Sequence, residues 1–121
     1  MLPSNLIAIV DDDAAVRQSL VRLLEVSKYN VRSFGSGEEF LGRWRTVRPA
    51  CVLLDQQMPG LSGIEVQREL NRVQANIPVI IITGNPCKIA RDASMREGAA
   101  NYLLKPVSRE RLLEAVEVFL E

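Results

Sequence analysis

Five short runs of strand-forming residues recur along the chain and alternate with stretches of helical periodicity. They are predicted strands, at Leu6–Val10, Asn30–Phe34, Cys51–Leu54, Val79–Thr83 and Asn101–Leu104. The third and fourth runs are apolar at successive positions, which is typical of parallel strands covered by helices on both faces. Strand–helix alternation with right-handed crossovers leaves few topologies. The sequence therefore predicts an α/β fold, a doubly wound sandwich of five βα units with a parallel sheet in the order 2-1-3-4-5.

The stretches between the runs carry apolar residues at helical spacing and are bounded by capping residues or glycine. Asp13, Ser62 and Ser108 are predicted to cap three helices, and Gly98 to end a helix over residues 86–97. That last helix has few apolar residues, so its buried face is predicted to be sparse. After a break at Gly35-Ser-Gly37, one helical stripe is predicted from Phe40, Leu41, Trp44 and Val47.

Composition excludes several kinds of chemistry. The 121 residues suit one domain and contain no histidine, so Ser-His-Asp and Cys-His catalysis, imidazole metal ligands and a phosphorylatable histidine are all excluded. Cys51 and Cys87 are far apart and form no CxxC motif. A structural zinc site is therefore not expected. Both cysteines are expected to be free thiols in a reducing compartment.

Charge and hydropathy restrict the partners and the location. The net charge is zero, which argues against nucleic-acid binding by phosphate neutralisation alone. The longest apolar run, Ile77–Ile82, is far shorter than the ~20 residues that a membrane-spanning helix needs, and no signal peptide is recognisable. No membrane association is expected, and the chain is predicted to be cytoplasmic.

Polar side chains follow four of the predicted strands. Asp11 and Asp12 follow the first strand, Asp55 the third and Lys105 the fifth, while Thr83 ends the fourth. Ligands bind doubly wound sheets outside the carboxyl ends of the strands, at the point where the strand order reverses. We therefore expect three carboxylates, one hydroxyl and one ammonium group to face the same crevice.

This set of groups suits phosphoryl transfer. Close carboxylates repel each other and raise each other's pKa unless a cation compensates, and a hard cation such as Mg²⁺ prefers oxygen ligands. A carboxylate is a possible nucleophile that forms an aspartyl phosphate, and Mg²⁺ with Lys105 would neutralise the transferring oxygens. Alone, Thr83 is an ordinary strand residue and Lys105 an ordinary turn residue. Their occurrence together at matching strand ends favours a functional site.

Four segments in this order resemble a bacterial two-component response-regulator receiver domain: Ile7–Asp12, Leu53–Gly60, Ile82–Gly84 and Tyr102–Pro106. The resemblance covers the whole chain and is to the subclass with a C-terminal helix-turn-helix output domain. It implies a flavodoxin-like fold, with residues 1–121 as a single receiver domain and no output domain in this chain. DNA would be contacted only through such an output domain.

The resemblance assigns the phosphoacceptor and the metal ligands. Asp55 is expected to accept a phosphoryl group from the phosphohistidine of a sensor histidine kinase or phosphotransfer protein. Asp11 and Asp12, with Asp55 and the backbone carbonyl of Gln57, are expected to hold Mg²⁺ or Mn²⁺. The domain is then a regulatory phosphoacceptor rather than an enzyme, although it would catalyse its own phosphotransfer and dephosphorylation.

The resemblance also implies how a switch would work. Thr83 is expected to move toward the phosphoryl group, Lys105 to pair with it, and Tyr102 to change rotamer. A cis peptide bond between Lys105 and Pro106 is implied as well. These changes would shift the surface of residues 86–97, the fifth strand and the last helix, and so control homodimerisation or an output domain. Packing of Tyr102 as an ordinary edge-strand residue is the alternative for that side chain.

Two further residues are predicted to set the lifetime of the phosphate. Gln57 and Asn85 lie two positions beyond the acceptor and two beyond the threonine, positions that flank the path of the attacking water in the family. Their amides would either orient that water or block it.

Three other functions remain as alternatives. A degenerate receiver would serve only for protein contacts. A Mg²⁺-dependent phosphatase resembling the haloacid dehalogenases would use Asp11 and Asp13 as a D-x-D motif, but the chain has no room for a cap domain over the substrate. A flavodoxin-like binding module would need a loop that accepts phosphate after the first strand, whereas residues 11–15 are acidic there.

Overall fold

One parallel sheet of five strands organises residues 5–120, the part of the chain that this computed structural model describes. The strands are β1 Leu6–Val10, β2 Asn30–Phe34, β3 Cys51–Asp55, β4 Val79–Thr83 and β5 Asn101–Leu104, in the order β2-β1-β3-β4-β5. The helices are α1 Ala14–Val26, α2 Gly37–Leu41, α3 Trp44–Val47, α4 Gly63–Arg72, α5 Lys88–Arg96 and α6 Arg109–Glu117. The predicted fold class and strand order are confirmed.

The two faces of the sheet support two separate hydrophobic clusters. On one face, Ile7 and Ile80 pack with residues of α1 and α6 such as Leu24 and Leu112. On the other face, a second cluster includes Phe34, Phe40, Val52, Val66 and Ile81. Every residue of β3 and β4 is buried, as their continuous apolar sequences predict. These two central strands give the site a rigid base.

The predicted capping residues act as expected. The Asp13 carboxylate accepts hydrogen bonds from Ala15 N–H and Val16 N–H, at 2.9 and 3.2 Å. Ser62 forms a capping box at the start of α4, and the Ser108 hydroxyl accepts from the backbone at the start of α6. Gly98, two residues beyond the end of α5, has a φ of +94°, a conformation that favours glycine.

The single helix predicted over Phe40–Val47 is wrong, because the structure divides it into α2 and α3. Gly42 lies at the division and has a low helix propensity, and Arg43 adopts a φ of −125°. The apolar spacing still serves the core, since Phe40 is fully buried and Trp44 packs beside it in the same cluster. The periodicity therefore identified the buried side of this segment correctly but not its interruption.

The two cysteines, Cys51 and Cys87, are both free, as the sequence predicts. Burial raises the pKa of the Cys51 thiol to about 12. Within residues 5–120, none of the helices combines the length and apolar composition that crossing a bilayer requires.

Candidate functional site

Three carboxylates meet at the carboxyl end of the sheet. Asp11 and Asp12 follow β1 and Asp55 ends β3, and these two strands are paired neighbours. One carboxylate oxygen from each residue lies within 4.8 Å of the others. Asp11 and Asp55 are buried, with 2% and 6% exposure, whereas Asp12 is exposed. The structure thus brings together the three acidic residues predicted from the strand ends.

Lys105 supplies the positive charge of this cluster. Its Nζ lies 2.9 Å from Asp11 Oδ2 and 3.4 Å from Asp55 Oδ1. Its backbone N–H donates to Thr83 O at 2.8 Å, which fixes the start of the loop, and the bond to Pro106 is cis. Partial burial lowers the pKa of Lys105, but its hydrogen bonds and ion pairs with the two carboxylates outweigh this effect and raise the pKa overall.

Asp55 is the electrostatically perturbed carboxylate. Burial, followed by repulsion from Asp11, raises its pKa from the ordinary 3.8 to about 6. Lys105 and a hydrogen bond from Gln57 N–H to Asp55 Oδ1, at 3.4 Å, oppose this rise only in part. A carboxylate held in this way favours binding of an additional cation.

Gly63 explains how α4 packs so closely against Asp55. A Cβ at position 63 would lie 2.6 Å from the Asp55 carbonyl oxygen and 2.9 Å from the Cα of Gln56. Only glycine allows this approach, and Gly63 N–H donates to the Gln56 carbonyl at 3.0 Å. The main chain directly after Asp55 is therefore held in place by α4.

The donor set fits a hard divalent cation. The groups that face one another, from Asp11, Asp12 and Asp55, offer only carboxylate oxygens, which suits Mg²⁺ or Mn²⁺ rather than a softer metal. Cation binding would offset the repulsion between Asp11 and Asp55.

Thr83 and Tyr102 lie at the neighbouring strands but do not touch the carboxylates. Thr83 is buried at the end of β4, and its hydroxyl accepts from Asn85 N–H at 3.1 Å. The Tyr102 hydroxyl donates to Gln56 Oε1 at 3.1 Å, and its ring centroid lies 5.9 Å from the Arg91 guanidinium carbon. Both side chains therefore bond to the backbone or side chains around the site.

Two residues near the site were not found by sequence reasoning. Arg17 Nη1 donates to the Asp11 carbonyl oxygen at 2.6 Å, which braces the loop that carries two of the acids. Its position four residues after the Asp13 cap was a usable signal, because residues at that spacing share one helix face. Gln56 is buried directly after Asp55 and contacts α5 and Tyr102, and no periodicity indicated this.

The raised pKa of Asp55 has a measurable consequence for stability. Because the folded protein holds this proton more readily than the unfolded chain, the contribution of Asp55 to stability is full below about pH 3.8 and lost as the pH rises through about 6. We expect Asp55→Asn to raise the free energy of unfolding at pH 7.5 in EDTA. The shift corresponds to at most ~3 kcal/mol, and solvent screening reduces this to about 1–2 kcal/mol.

Urea unfolding in EDTA at pH 7.5 and pH 4 measures the effect. The gain from Asp55→Asn should be largest at pH 7.5 and small at pH 4, where Asp55 is mostly protonated. A variant equally stable to the wild type at pH 7.5, or less stable, would contradict the assigned electrostatics. Asp92→Asn, on α5, is the matched surface control and should change little.

Sequence comparison places the chain in one family. The family model described as "Response regulator receiver domain" matches residues 7–117. Nodulation protein W of Bradyrhizobium diazoefficiens is 37% identical over 111 residues, which cover 92% of this chain and 49% of that protein. Response regulator MprA of Mycolicibacterium vanbaalenii is 39% identical over 114 residues, 94% of this chain and 49% of that protein. The chain spans about half the length of these relatives.

Solved structures agree with the sequence comparison. The FixJ-N crystal structure superposes with a TM-score of 0.90 at 34% identity, covering 98% of this chain and 94% of that one. The response regulator StyR has a TM-score of 0.81 at 34% identity and covers 95% of this chain and 58% of that one. Together with the acidic cluster and Lys105, these matches show that the chain belongs to the response regulator receiver domain family.

Proposed function

We propose that this chain is a phosphorylation-activated switch of two-component signalling in which Asp55 is the phosphoacceptor. The observation that carries the proposal is the environment of Asp55. Its carboxylate lies within 4.8 Å of a second buried carboxylate, that of Asp11, and 3.4 Å from the Lys105 ammonium. The phosphohistidine of a sensor kinase or phosphotransfer protein would be the donor, and the 121 residues given contain no histidine of their own. The two free cysteines fit a reducing compartment, which supports the cytoplasm as the place of this exchange.

The transfer proceeds by attack of an Asp55 carboxylate oxygen on phosphorus. A new P–O bond forms while the P–N bond to the donor imidazole breaks, and the imidazole leaves with the electron pair. Asp11, Asp12, Asp55 and the Gln57 carbonyl would hold Mg²⁺, which supplies charge neutralisation for the phosphoryl oxygens. Lys105, already 3.4 Å from Asp55 Oδ1, would move to a phosphoryl oxygen.

The same step starts the conformational switch. The phosphoryl group adds negative charge and strong acceptor oxygens, so Thr83 would leave Asn85 N–H and donate its hydroxyl to the new group. The segment after β4 leads directly into α5 at Lys88. Movement of Thr83 would therefore be transmitted to α5 and to Tyr102 on β5.

The surface formed by α5, β5 and α6 is the proposed output surface. A groove of about 670 Å³ between these elements includes Arg91, Tyr102 and Leu104 among its lining residues. Ile89 is 80% exposed and Leu104 50% exposed, so apolar area is available for a homodimer or an output domain. Residues 1–121 would form one receiver domain, supported by the family match over residues 7–117, and DNA contact would belong to an output domain.

The direct test is phosphorylation by acetyl phosphate in the presence of Mg²⁺. Intact-mass analysis should show one phosphoryl group, and borohydride reduction followed by peptide mapping should locate it at Asp55. EDTA should prevent the reaction. Absence of labelling with Mg²⁺ would favour the degenerate receiver, and repeated turnover of a phosphate monoester would favour the phosphatase.

Gln57 and Asn85 are proposed to set the lifetime of the acyl phosphate. Both residues are solvent-exposed, so water reaches them, and we propose that their amides orient the attacking water. We expect Gln57→Met and Asn85→Leu each to slow decay by about fivefold, the effect of losing one hydrogen bond of about 1 kcal/mol. Phosphate release after removal of the donor measures the rate. Unchanged decay in both variants would remove the proposal.

A further inference from the structure

Gln56, the residue directly after Asp55, is a buried amide that joins three parts of the fold. Its Nε2 donates to Ala90 O and to Ser94 Oγ on α5, both at 3.0 Å. Its Oε1 accepts from the Tyr102 hydroxyl of β5 at 3.1 Å. The residue is 7% exposed; its bond to Ser94 is buried, and those to Ala90 and Tyr102 are partly buried. These three hydrogen bonds of the side chain all go to α5 or Tyr102.

The main chain of Gln56 is fixed as firmly as its side chain. Its N–H donates to Ile82 O of β4 at 3.1 Å, and its carbonyl accepts from Gly63 N–H at 3.0 Å. The amide therefore extends from a rigid position beside the acceptor. A contact with a buried polar group is costly to break, because the group left behind loses its partner.

We propose that Gln56 is a positioning residue that holds α5 and Tyr102 in the arrangement in which Thr83 is bonded to Asn85, and so opposes activation. This inference rests on Asp55 being the phosphoacceptor, as proposed above. Gln56 acts through α5 and Tyr102 and not on the reacting atoms. Its amide determines how much of the phosphorylation free energy is used to move the output surface.

The hydrogen bond between Thr83 and Asn85 supplies the direction of the effect. Thr83 is bonded to Asn85 N–H, and the segment from Asn85 to Lys88 connects it to α5. When Thr83 turns to the phosphoryl group, this segment pulls on the first turn of α5, where Ala90 is held by Gln56. On this proposal, the bonds of Gln56 to α5 and Tyr102 break when this segment moves. A bond made in one state only stabilises that state, so removing Gln56 would favour the activated one.

The test measures the affinity of a phosphoryl mimic, beryllium trifluoride with Mg²⁺, for Gln56→Met. Methionine keeps the length of the side chain and removes its three hydrogen bonds. We expect the half-saturating concentration of the mimic to fall at least threefold relative to wild type. We also expect amide exchange of residues 88–96 to be faster in the mimic-free variant than in the mimic-free wild type. If the role of Gln56 were purely structural, Gln56→Met would show faster amide exchange but would not bind the mimic more tightly. Unchanged or weaker mimic binding overturns the proposal.

Two smaller substitutions keep the proposal testable if Gln56→Met does not fold. Ser94→Ala and Tyr102→Phe each remove one partner of Gln56, and each should tighten the mimic by a smaller factor. Gln18→Met makes the same chemical change on the exposed side of α1 and should leave affinity and exchange unchanged. If neither Ser94→Ala nor Tyr102→Phe tightens the mimic, the proposal fails.

Labelling by acetyl phosphate separates this inference from the proposed function. If the wild type is labelled at Asp55 but Gln56→Met binds the mimic like Gln18→Met, Gln56 has no positioning role and the phosphoacceptor assignment stands. If the wild type is not labelled at all, the phosphoacceptor assignment itself fails.

Discussion

Replacing Asp55 with asparagine is expected to abolish phosphorylation of the domain by acetyl phosphate. The amide has no negative oxygen to attack phosphorus, while the shape of the side chain is preserved. Its loss also removes one of the three carboxylates that face one another in the acidic cluster. We expect the labelling rate to fall by at least about 10⁴-fold, below detection, the scale on which removal of a nucleophile is felt. Intact-mass analysis over time measures it.

Asp13→Asn is the matched control for this change. Asp13 lies next to the acidic cluster but caps α1 through two backbone N–H groups, and asparagine is nearly as good a cap as aspartate. Labelling should therefore persist. Full labelling of Asp55→Asn would refute the acceptor assignment, and loss of labelling in Asp13→Asn would revive the D-x-D phosphatase alternative.

The sequence predicted the fold well because its two central strands are unambiguous. Uninterrupted β-branched and aliphatic residues at Val79–Thr83 have few alternatives to a doubly covered strand. Right-handed crossovers then restrict the topology, and five βα units fit the order 2-1-3-4-5 of doubly wound sheets. The α2–α3 region failed because one glycine interrupts a helix without disturbing the apolar spacing, and spacing was the only signal used there.

The gathering of the acidic residues was predictable for the same reason as the fold. Parallel strands bring their carboxyl ends to one edge, so Asp11, Asp12 and Asp55 had to be close. Their burial, and the rise in the pKa of Asp55 to about 6, depend on how helices cover that edge. Such packing has no counterpart in a strand pattern.

Gln56 shows where sequence reasoning stops. Its partners Ala90 and Ser94 are more than thirty residues away in sequence, on a helix predicted to have a sparse apolar face. The structure shows that polar bonds supplement that face. A glutamine after a strand carries no signal of its own, since exposed and buried glutamines look alike in sequence.

Replacing Lys105 should distinguish the contribution of its positive charge to folding stability from its contribution to phosphoryl transfer. Lys105→Met leaves Asp11 and Asp55 without the ammonium that lies 2.9 and 3.4 Å from them. Removing one partner of a buried ion pair costs about 3–5 kcal/mol. Because Lys105 is 21% exposed, we expect a loss of about 2–3 kcal/mol in EDTA, measured by urea unfolding. Lys88→Met, an exposed lysine on α5, is the control and should change little.

Magnesium should restore the folding stability of Lys105→Met but not its rate of phosphorylation. The cation binds the same carboxylates, so it should stabilise the variant more than the wild type, because binding to the folded state alone raises stability. It does not replace a donor aimed at the phosphoryl oxygens. Labelling by acetyl phosphate at saturating Mg²⁺ should thus remain about 100-fold slower, the usual cost of losing one such donor. Recovery of both stability and labelling with Mg²⁺ would mean that Lys105 serves only to balance the charge of Asp11 and Asp55.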